Sequence, residues 1–259
     1  MFNQGLLKQA AEICSNKIKS SVETKDFNEY PFKHLVIDNF FPDDIANACL
    51  KNFPATDSDY WDHANDSDIE VKYRTTWKSE FDIPDGIVGA VRIMNSSLFL
   101  GSMAEVFNIP KIVPDPYFSG GGLNVTKPGG LLDVHVDGNY HDATGLNRRL
   151  NAILYLNPNW KEGWGGEFGL YDENADKCLK KVEPLFNRLV IFDSHDKSFH
   201  GLPDKLNFPI GEERKSIILY YYTKEKRPSA QILTDEPHSA LWKKRNLLDK
   251  RGNKVRESY

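Results

Sequence analysis

The chain has 259 residues, 33 of them Lys or Arg and 37 Asp or Glu, giving a formal net charge of −4. Hydrophobic residues make up 40% and charged residues 27%, a globular composition that excludes a disordered or fibrous chain. The near-neutral balance argues against a nucleic-acid partner, for which a basic domain is usual.

Cys14, Cys49 and Cys178 are too scattered for a disulfide framework or a thiolate cluster, which predicts a reducing, cytoplasmic location. The first residues lack an apolar core of signal-peptide length. No run approaches the ~18 consecutive apolar residues of a membrane span, so no membrane partner is expected.

Leu6, Leu7, Ala10, Ala11, Ile13, Cys14 and Ile18 recur at helical spacing, predicting an N-terminal helical segment over 1–28. Residues 32–40, FKHLVIDNF, are rich in β-formers and lead into a helix that Asp43 or Asp44 would cap. Residues 55–82 are polar and aromatic with weak periodicity and read as an excursion over the core. Apolar spacing from Ile87 to Phe107 predicts one or two helices.

The character changes after Pro116. Six β-rich runs (GGLNVT, LLDVHVD, LNAILYLN, GEFGLYD, NRLVIFDS and KSIILYYYT) alternate with Gly, Pro and Asn turns and no helical run intervenes. That pattern predicts a β-sandwich or barrel, mainly β with supporting helices, rather than a parallel βαβ sheet. The expected organisation is the helical segment 1–28, one domain over 29–228 with its β core from about residue 117, and a basic tail over 229–259. From Lys243 to Arg256 that tail holds seven basic residues against Asp249 alone. A solvated terminal segment is its simplest reading, with an acidic polymer or phosphate as the alternative.

Chemistry concentrates in three of the runs. In LLDVHVD, His135 and Asp137 point to one face of a strand with β-carbons on the order of 7 Å apart, a gap one metal ion can bridge. His200, just beyond NRLVIFDS, supplies a second imidazole. Two His and one carboxylate on one face of a metal leave the other face open, as in non-haem Fe(II) oxygenases. The competing reading has His135 facing solvent and Asp137 capping the turn into Gly138.

Alternation along the last run puts Arg214, Ser216, Ile218 and Tyr220 on one face. A buried Arg requires a partner, which a carboxylate ligand bound by its planar fork would be, with Ser216 adding a hydroxyl. A rim arginine in a surface ion pair is the alternative. Asn151 and Tyr155 share a face of LNAILYLN, with Tyr155 either reaching the same carboxylate or serving as a core tyrosine.

In order, His135-x-Asp137, RRLNAILYLNPNW, GWGGEFGLYD, His200-Gly201 and ERKSIILYYYT resemble the Fe(II)/2-oxoglutarate-dependent dioxygenases, in their prolyl 4-hydroxylase-like branch. The resemblance runs from about residue 30 to 228, including FKHLVIDNFFPDD and DPYFSGGGLNV. It implies a double-stranded β-helix (jelly-roll) fold with Fe(II) and 2-oxoglutarate at its open end, and ascorbate as an accessory reductant. His135, Asp137 and His200 would be the iron ligands. Arg214 would hold the distal 2-oxoglutarate carboxylate with Tyr155, and Ser216 and Asn151 would complete that subsite. Asn124 stands where the family carries His or Tyr, and the loop between His200 and Arg214 is longer than in the shorter animal enzymes. Halogenating members replace the carboxylate ligand by a small residue, so Asp137 favours hydroxylation.

The activity so implied is hydroxylation of an unactivated C–H, such as a prolyl residue of a protein, with O2 consumed and succinate and CO2 released. A sugar or other small metabolite as substrate is the first alternative. The second, from another class, is a jelly-roll binding module that oxidises nothing.

Among the remaining motifs, His195 competes with His200 as distal ligand, and His141 is expected at the site rim. His34, His63 and His238 read as surface or loop histidines. The Gly120–Gly122 and Gly163–Gly166 runs do not open a helix after a strand, which excludes a Rossmann reading. Trp160 and Trp164 are expected to pack beneath the second run. Tyr60, Trp61, Tyr73, Arg74 and Trp77 mark the excursion 55–82 as a candidate substrate lid.

Overall fold

A computed structural model describes residues 3–250, 252 and 253. Its first element, α1 (Gln4–Ser20), begins where the Asn3 side chain accepts the Leu6 N–H at 2.9 Å, a side-chain cap for an otherwise orphaned donor. Ala10, Ala11, Cys14 and Ile18 are buried along one stripe. Short strands β1 (Phe27–Asn28) and β2 (His34–Ile37) precede α2 (Asp43–Lys51). Pro42, not an aspartate, occupies the N-cap of α2. Its fixed φ suits that position, and Asp43 and Asp44 fall in the first turn, where the helix dipole favours negative charge.

The excursion 55–82 is no coil. It contains a hairpin, β3 (Trp61–Asp66) and β4 (Glu70–Thr75). Two helices follow, α3 (Asp85–Met94) and α4 (Ser97–Phe107), with Ser96 capping the second. No single helix among the described residues is long and apolar enough to cross a membrane; the bent pair α3 and α4 is apolar because Ile87, Met94, Phe99 and Met103 fill the core.

Strands β5 (Val113–Pro114), β6 (Gly122–Thr126), β7 (Leu131–Val136), β8 (Asn147–Tyr155), β9 (Phe168–Tyr171), β10 (Cys178–Val182), β11 (Arg188–Asp193), β12 (His200–Leu202) and β13 (Arg214–Thr223) form the β core. A last strand, β14 (Leu241–Trp242), lies beyond it. The hydrogen-bonded order is β1-β2-β11-β8-β13-β6-β4-β7-β12-β9-β10, with β3 on β4, β5 on β13 and β14 on β7. This curled antiparallel sheet with a helical layer is the jelly-roll that the sequence predicts, and all six β-rich runs are strands in it.

Period-two alternation sorts the side chains between two cores. From β8, Leu150, Ala152 and Leu154 join Leu189, Ile191, Ile217, Leu219 and Tyr221 against the helices. Ile153 and Tyr155 point the other way, with Val190, Phe192, Phe168 and Leu170, into the space between the two halves of the sheet. The site occupies the open end of that inner space.

Two segments close the sheet near the site. Strand β4 bridges β6, at Tyr73↔Val125 and Arg74↔Asn124, and β7, at Glu70↔Leu132 and Val71↔Leu131. In β14, Leu241 faces Val136 and Trp242 faces His135 across the ladder to β7. The segment expected as a solvated basic tail over 229–259 is therefore anchored through residue 250. Arg251, Lys254 and Arg256 of its basic run lie outside the described residues.

Candidate active site

His135 is the penultimate residue of β7, with Asp137 just beyond the strand, and His200 opens β12 directly opposite His135 in the antiparallel register. Asp137 Oδ1 lies 3.8 Å from His135 Nε2, and Oδ2 lies 3.3 Å from His200 Nε2. All three ligand atoms fall within 4.8 Å of one another. Each imidazole is fixed from behind: His135 Nδ1 donates to the Asp133 carbonyl and His200 Nδ1 to the Ser198 carbonyl, both at 2.8 Å. The Nδ1–H bond leaves the Nε2 lone pair facing the carboxylate, the tautomer a metal ligand requires. Phe192 and Phe168 rings pack on His200 at 4.7 and 5.3 Å.

Charge in this cluster is set by burial and proximity. Burial, reinforced by His200, pushes the His135 imidazole down to about 3, so it is neutral and able to donate its lone pair. Burial alone would raise Asp137, but His200, Arg148 and His135 hold it far below the carboxylate range. Two neutralisable nitrogens and one ionised carboxylate, with solvent on the remaining side, fit a divalent ion such as Fe(II).

Residues of β8 brace the carboxylate. Asn151 Nδ2 donates to Asp137 Oδ2 at 2.5 Å, and Arg148 Nη1 lies 3.5 Å from Oδ1. Simple alternation would put Arg148 on the helix-facing side with Leu150. A bulge intervenes: the register passes from Tyr221↔Leu150 to Tyr222↔Arg148 and leaves Arg149 unmatched. The extra residue re-aims the strand, and the Arg148 guanidinium lies 3.9 Å over the Tyr220 ring.

Deeper in the barrel, Arg214 Nε donates to the Gly166 carbonyl at 2.8 Å, and its Nη2 to Tyr155 Oη at 3.3 Å. Ser216 pairs across the sheet with Tyr155 on one side and Asn124 on the other. Ser216 Oγ, Asn124 Nδ2 and Asn151 Oδ1 are buried with no hydrogen-bond partner. Of these, Ser216 Oγ and Asn124 Nδ2 are unmet donors beside a buried guanidinium, and they mark a site for an anionic ligand, which 2-oxoglutarate fits.

A cavity of about 860 Å³ opens over His135 and Asp137. Arg148, Tyr220, Tyr222, His141, His238 and Trp242 contribute to its wall. His141 is buried, bonded through Nε2 to Asp115 Oδ1 at 2.8 Å, as well as lining the cavity. His238 is not a surface residue: it pairs with Asp196 at 3.2 Å and lines the same wall. His34 is also fully buried, with Nδ1 on the Phe32 carbonyl, because the strand it sits on runs through the sheet rather than along an edge. His63 stacks on Tyr73 at 4.2 Å. His195 stands outside the trio, packed on Phe32. Trp160 and Trp164 pack with Phe208.

Of the expected lid, Arg74 lines the cavity with its strand neighbours Glu70 and Lys72, whereas Trp77 is buried and Tyr60 and Trp61 pack toward the helices. Sequence reasoning missed Arg148, hidden by the bulge, and Trp242, which lies in a segment without strand periodicity.

Comparison with known proteins agrees with this geometry. The model of the 2OG-Fe(II) oxygenase superfamily matches residues 121–222, the stretch that carries Asn124, His135, Asp137, Asn151, Tyr155, His200, Arg214 and Ser216. Over that stretch the chain is similar to 2OG-Fe(II) oxygenases. Over 209 residues the chain is 25% identical to prolyl 3-hydroxylase OGFOD1 of Mus musculus, covering 78% of this chain and 35% of that protein. It thus spans about a third of the length of that curated relative. A Pseudomonas putida prolyl-4-hydroxylase has the same fold (TM-score 0.55, 19% identity, 82% of this chain and 100% of the other). So does a prolyl hydroxylase from Trichoplax adhaerens in complex with a hypoxia inducible factor oxygen degradation domain peptide fragment (TM-score 0.54, 18% identity, 86% and 94%). The matched stretch is that of an Fe(II)- and 2-oxoglutarate-dependent oxygenase, and the His135, Asp137 and His200 cluster supplies a ligand set for the metal.

Proposed function

We propose that the chain hydroxylates a prolyl residue of a protein, consuming O2 and 2-oxoglutarate. The observation that carries this reading is the adjacency of two sites: the His135, Asp137 and His200 cluster, and the buried Arg214 fork among unmet donors. The likeness to a curated prolyl 3-hydroxylase points to the substrate.

His135 Nε2, His200 Nε2 and an Asp137 oxygen would hold Fe(II), with Asn151 and Arg148 orienting the carboxylate from β8. Arg214 and Tyr155 would hold the distal carboxylate of 2-oxoglutarate, and Ser216 and Asn124 would donate to oxygens along its length. The bound pair supplies the oxidising power, as 2-oxoglutarate is converted to succinate and CO2 and one oxygen atom enters the substrate C–H. Burial of Tyr155 raises its hydroxyl pKa against the pull of Arg214, which keeps it a neutral donor. The cavity wall offers the aromatic faces of Tyr220, Tyr222 and Trp242, suited to an apolar pyrrolidine ring, and its volume leaves room for flanking peptide.

The test is succinate formation from 2-oxoglutarate by protein loaded with Fe(II), with and without proline-containing peptides. A mass gain of one oxygen on a peptide, lost with His200→Ala, supports the reading. Amino-acid analysis then separates 3- from 4-hydroxyproline. Coupled turnover with sugars but no peptide would transfer the assignment to a small-metabolite hydroxylase. No turnover and no 2-oxoglutarate binding would leave a binding module.

A further inference from the structure

We propose that Trp242, on the C-terminal strap formed by residues 237–250 outside the matched domain, is a positioning residue that locks the His135 imidazole in its metal-facing orientation. The inference rests on His135 being a metal ligand. Trp242 is 2% exposed, and its ring stacks on His135 with centroids 4.6 Å apart and planes at 25°. The opposite side of the imidazole meets His200, centroids 4.4 Å apart. A ring covered on both sides cannot rotate about its Cβ–Cγ bond without unstacking.

The strap also controls the back of that ring. Lys244 N–H donates to Asp133 Oδ2 at 2.9 Å, and the Asp133 carbonyl accepts the His135 Nδ1–H. One turn of chain thus fixes both the plane of the imidazole and its tautomer-setting partner.

Three basic residues of the strap have acidic partners on neighbouring segments. Arg245 Nη2 meets Asp66 at 2.6 Å, Lys243 meets Asp176 at 3.2 Å, and Lys250 bonds Glu70. Burial pushes Glu70 up, yet Lys72 and Lys250 bring it down to about 2. Lys250 Nζ also lies 5.7 Å over the Trp242 ring, a cation–π contact. Lys243, Arg245 and Lys250 are therefore spent on holding the strap in place. Outer contacts that orient a metal-ligating His are worth about 10–100-fold in metal affinity.

The experiment is Co(II) titration of apo full-length protein, followed by visible absorption and tryptophan emission. In the wild type, Co(II) should quench the component of emission due to Trp242, one of five tryptophans. Trp242→Phe should lose that quenching but keep affinity within about threefold, since a flat ring remains. Trp242→Ala should weaken Co(II) binding about tenfold or more. Trp242→Leu, which keeps apolar bulk without a stacking ring, should behave likewise and decides the matter if the Ala variant fails to fold. Wild-type affinity in the Ala or Leu variant would overturn the inference. Unchanged Co(II) binding by His135→Ala would instead overturn the metal assignment beneath it.

Discussion

Arg214→Ala isolates the cosubstrate end of the site. Arg214 is 7% exposed, and two of its N–H groups are committed to the Gly166 carbonyl and Tyr155 Oη. A guanidinium carries five donors, so three remain for a carboxylate. Two charge-assisted bonds at about 1.5–3 kcal/mol each set a ceiling of ~3–6 kcal/mol. Water entering the vacated space recovers part of this. A loss of about 3 kcal/mol, or a ~100-fold weaker Kd for 2-oxoglutarate, is expected. Arg214→Lys keeps the charge but not the fork, and should lose about tenfold. Calorimetry of 2-oxoglutarate binding to Mn(II)-loaded protein measures both. The unpaired Gly166 and Tyr155 groups should also lower the Tm, by about 2–4 °C per kcal/mol. Folded variants that bind 2-oxoglutarate with wild-type Kd would refute the reasoning and require another residue to hold the carboxylate.

Acid should destabilise the apo protein. His135 and His34 are held down at about 3 and about 4 by burial, so between those values and the ordinary 6.5 the unfolded chain binds protons that the native state refuses. Stability from this source is present above about pH 6.5 and is lost as pH falls toward 4. From pH 7.5 to 5.5 the two groups together should cost about 2–3 kcal/mol, read by urea unfolding. A flat profile would mean that both imidazoles protonate freely when folded. Gly201→Ala should damage the metal cluster from a distance. A Cβ there would stand 2.8 and 2.9 Å from the Asp133 and Leu132 carbonyl oxygens, prising β12 from β7. A cost of about 1–3 kcal/mol should come with weakened Co(II) binding, and wild-type values for both would show that the strands yield without moving His200.

The jelly-roll and most of its site were legible in the sequence because they are written at the level of strand alternation. Apolar residues at 150, 152 and 154 and at 217, 219 and 221 point to the helices. The residues between them, Asn151, Tyr155, Arg214 and Ser216, had to face inward together. His135 and His200 needed only to lie near the ends of adjacent strands. Strand β12, three residues long, has no pattern of its own, yet its pairing with β7 is what sets His200 against His135.

Hairpin β3–β4 was illegible for a related reason: its strands, WDHAND and EVKYRT, are mostly polar, with one side open to solvent. Buried His34 and His238 were read as surface residues because nothing local separates a satisfied interior histidine from an exposed one.

The amino-acid sequence by itself determined which side chains share a face, since that follows from a two-residue period and needs no partner. Tertiary structure decided what that period cannot encode. A single bulge turns Arg148 onto Asp137. A strand of two residues, β14, lays Trp242 on His135. Ion pairs between Arg245 and Asp66, and between Lys250 and Glu70, fasten that strand across the site. The last two depend on groups about 100–180 positions apart in the chain, brought together only once the sheet has curled.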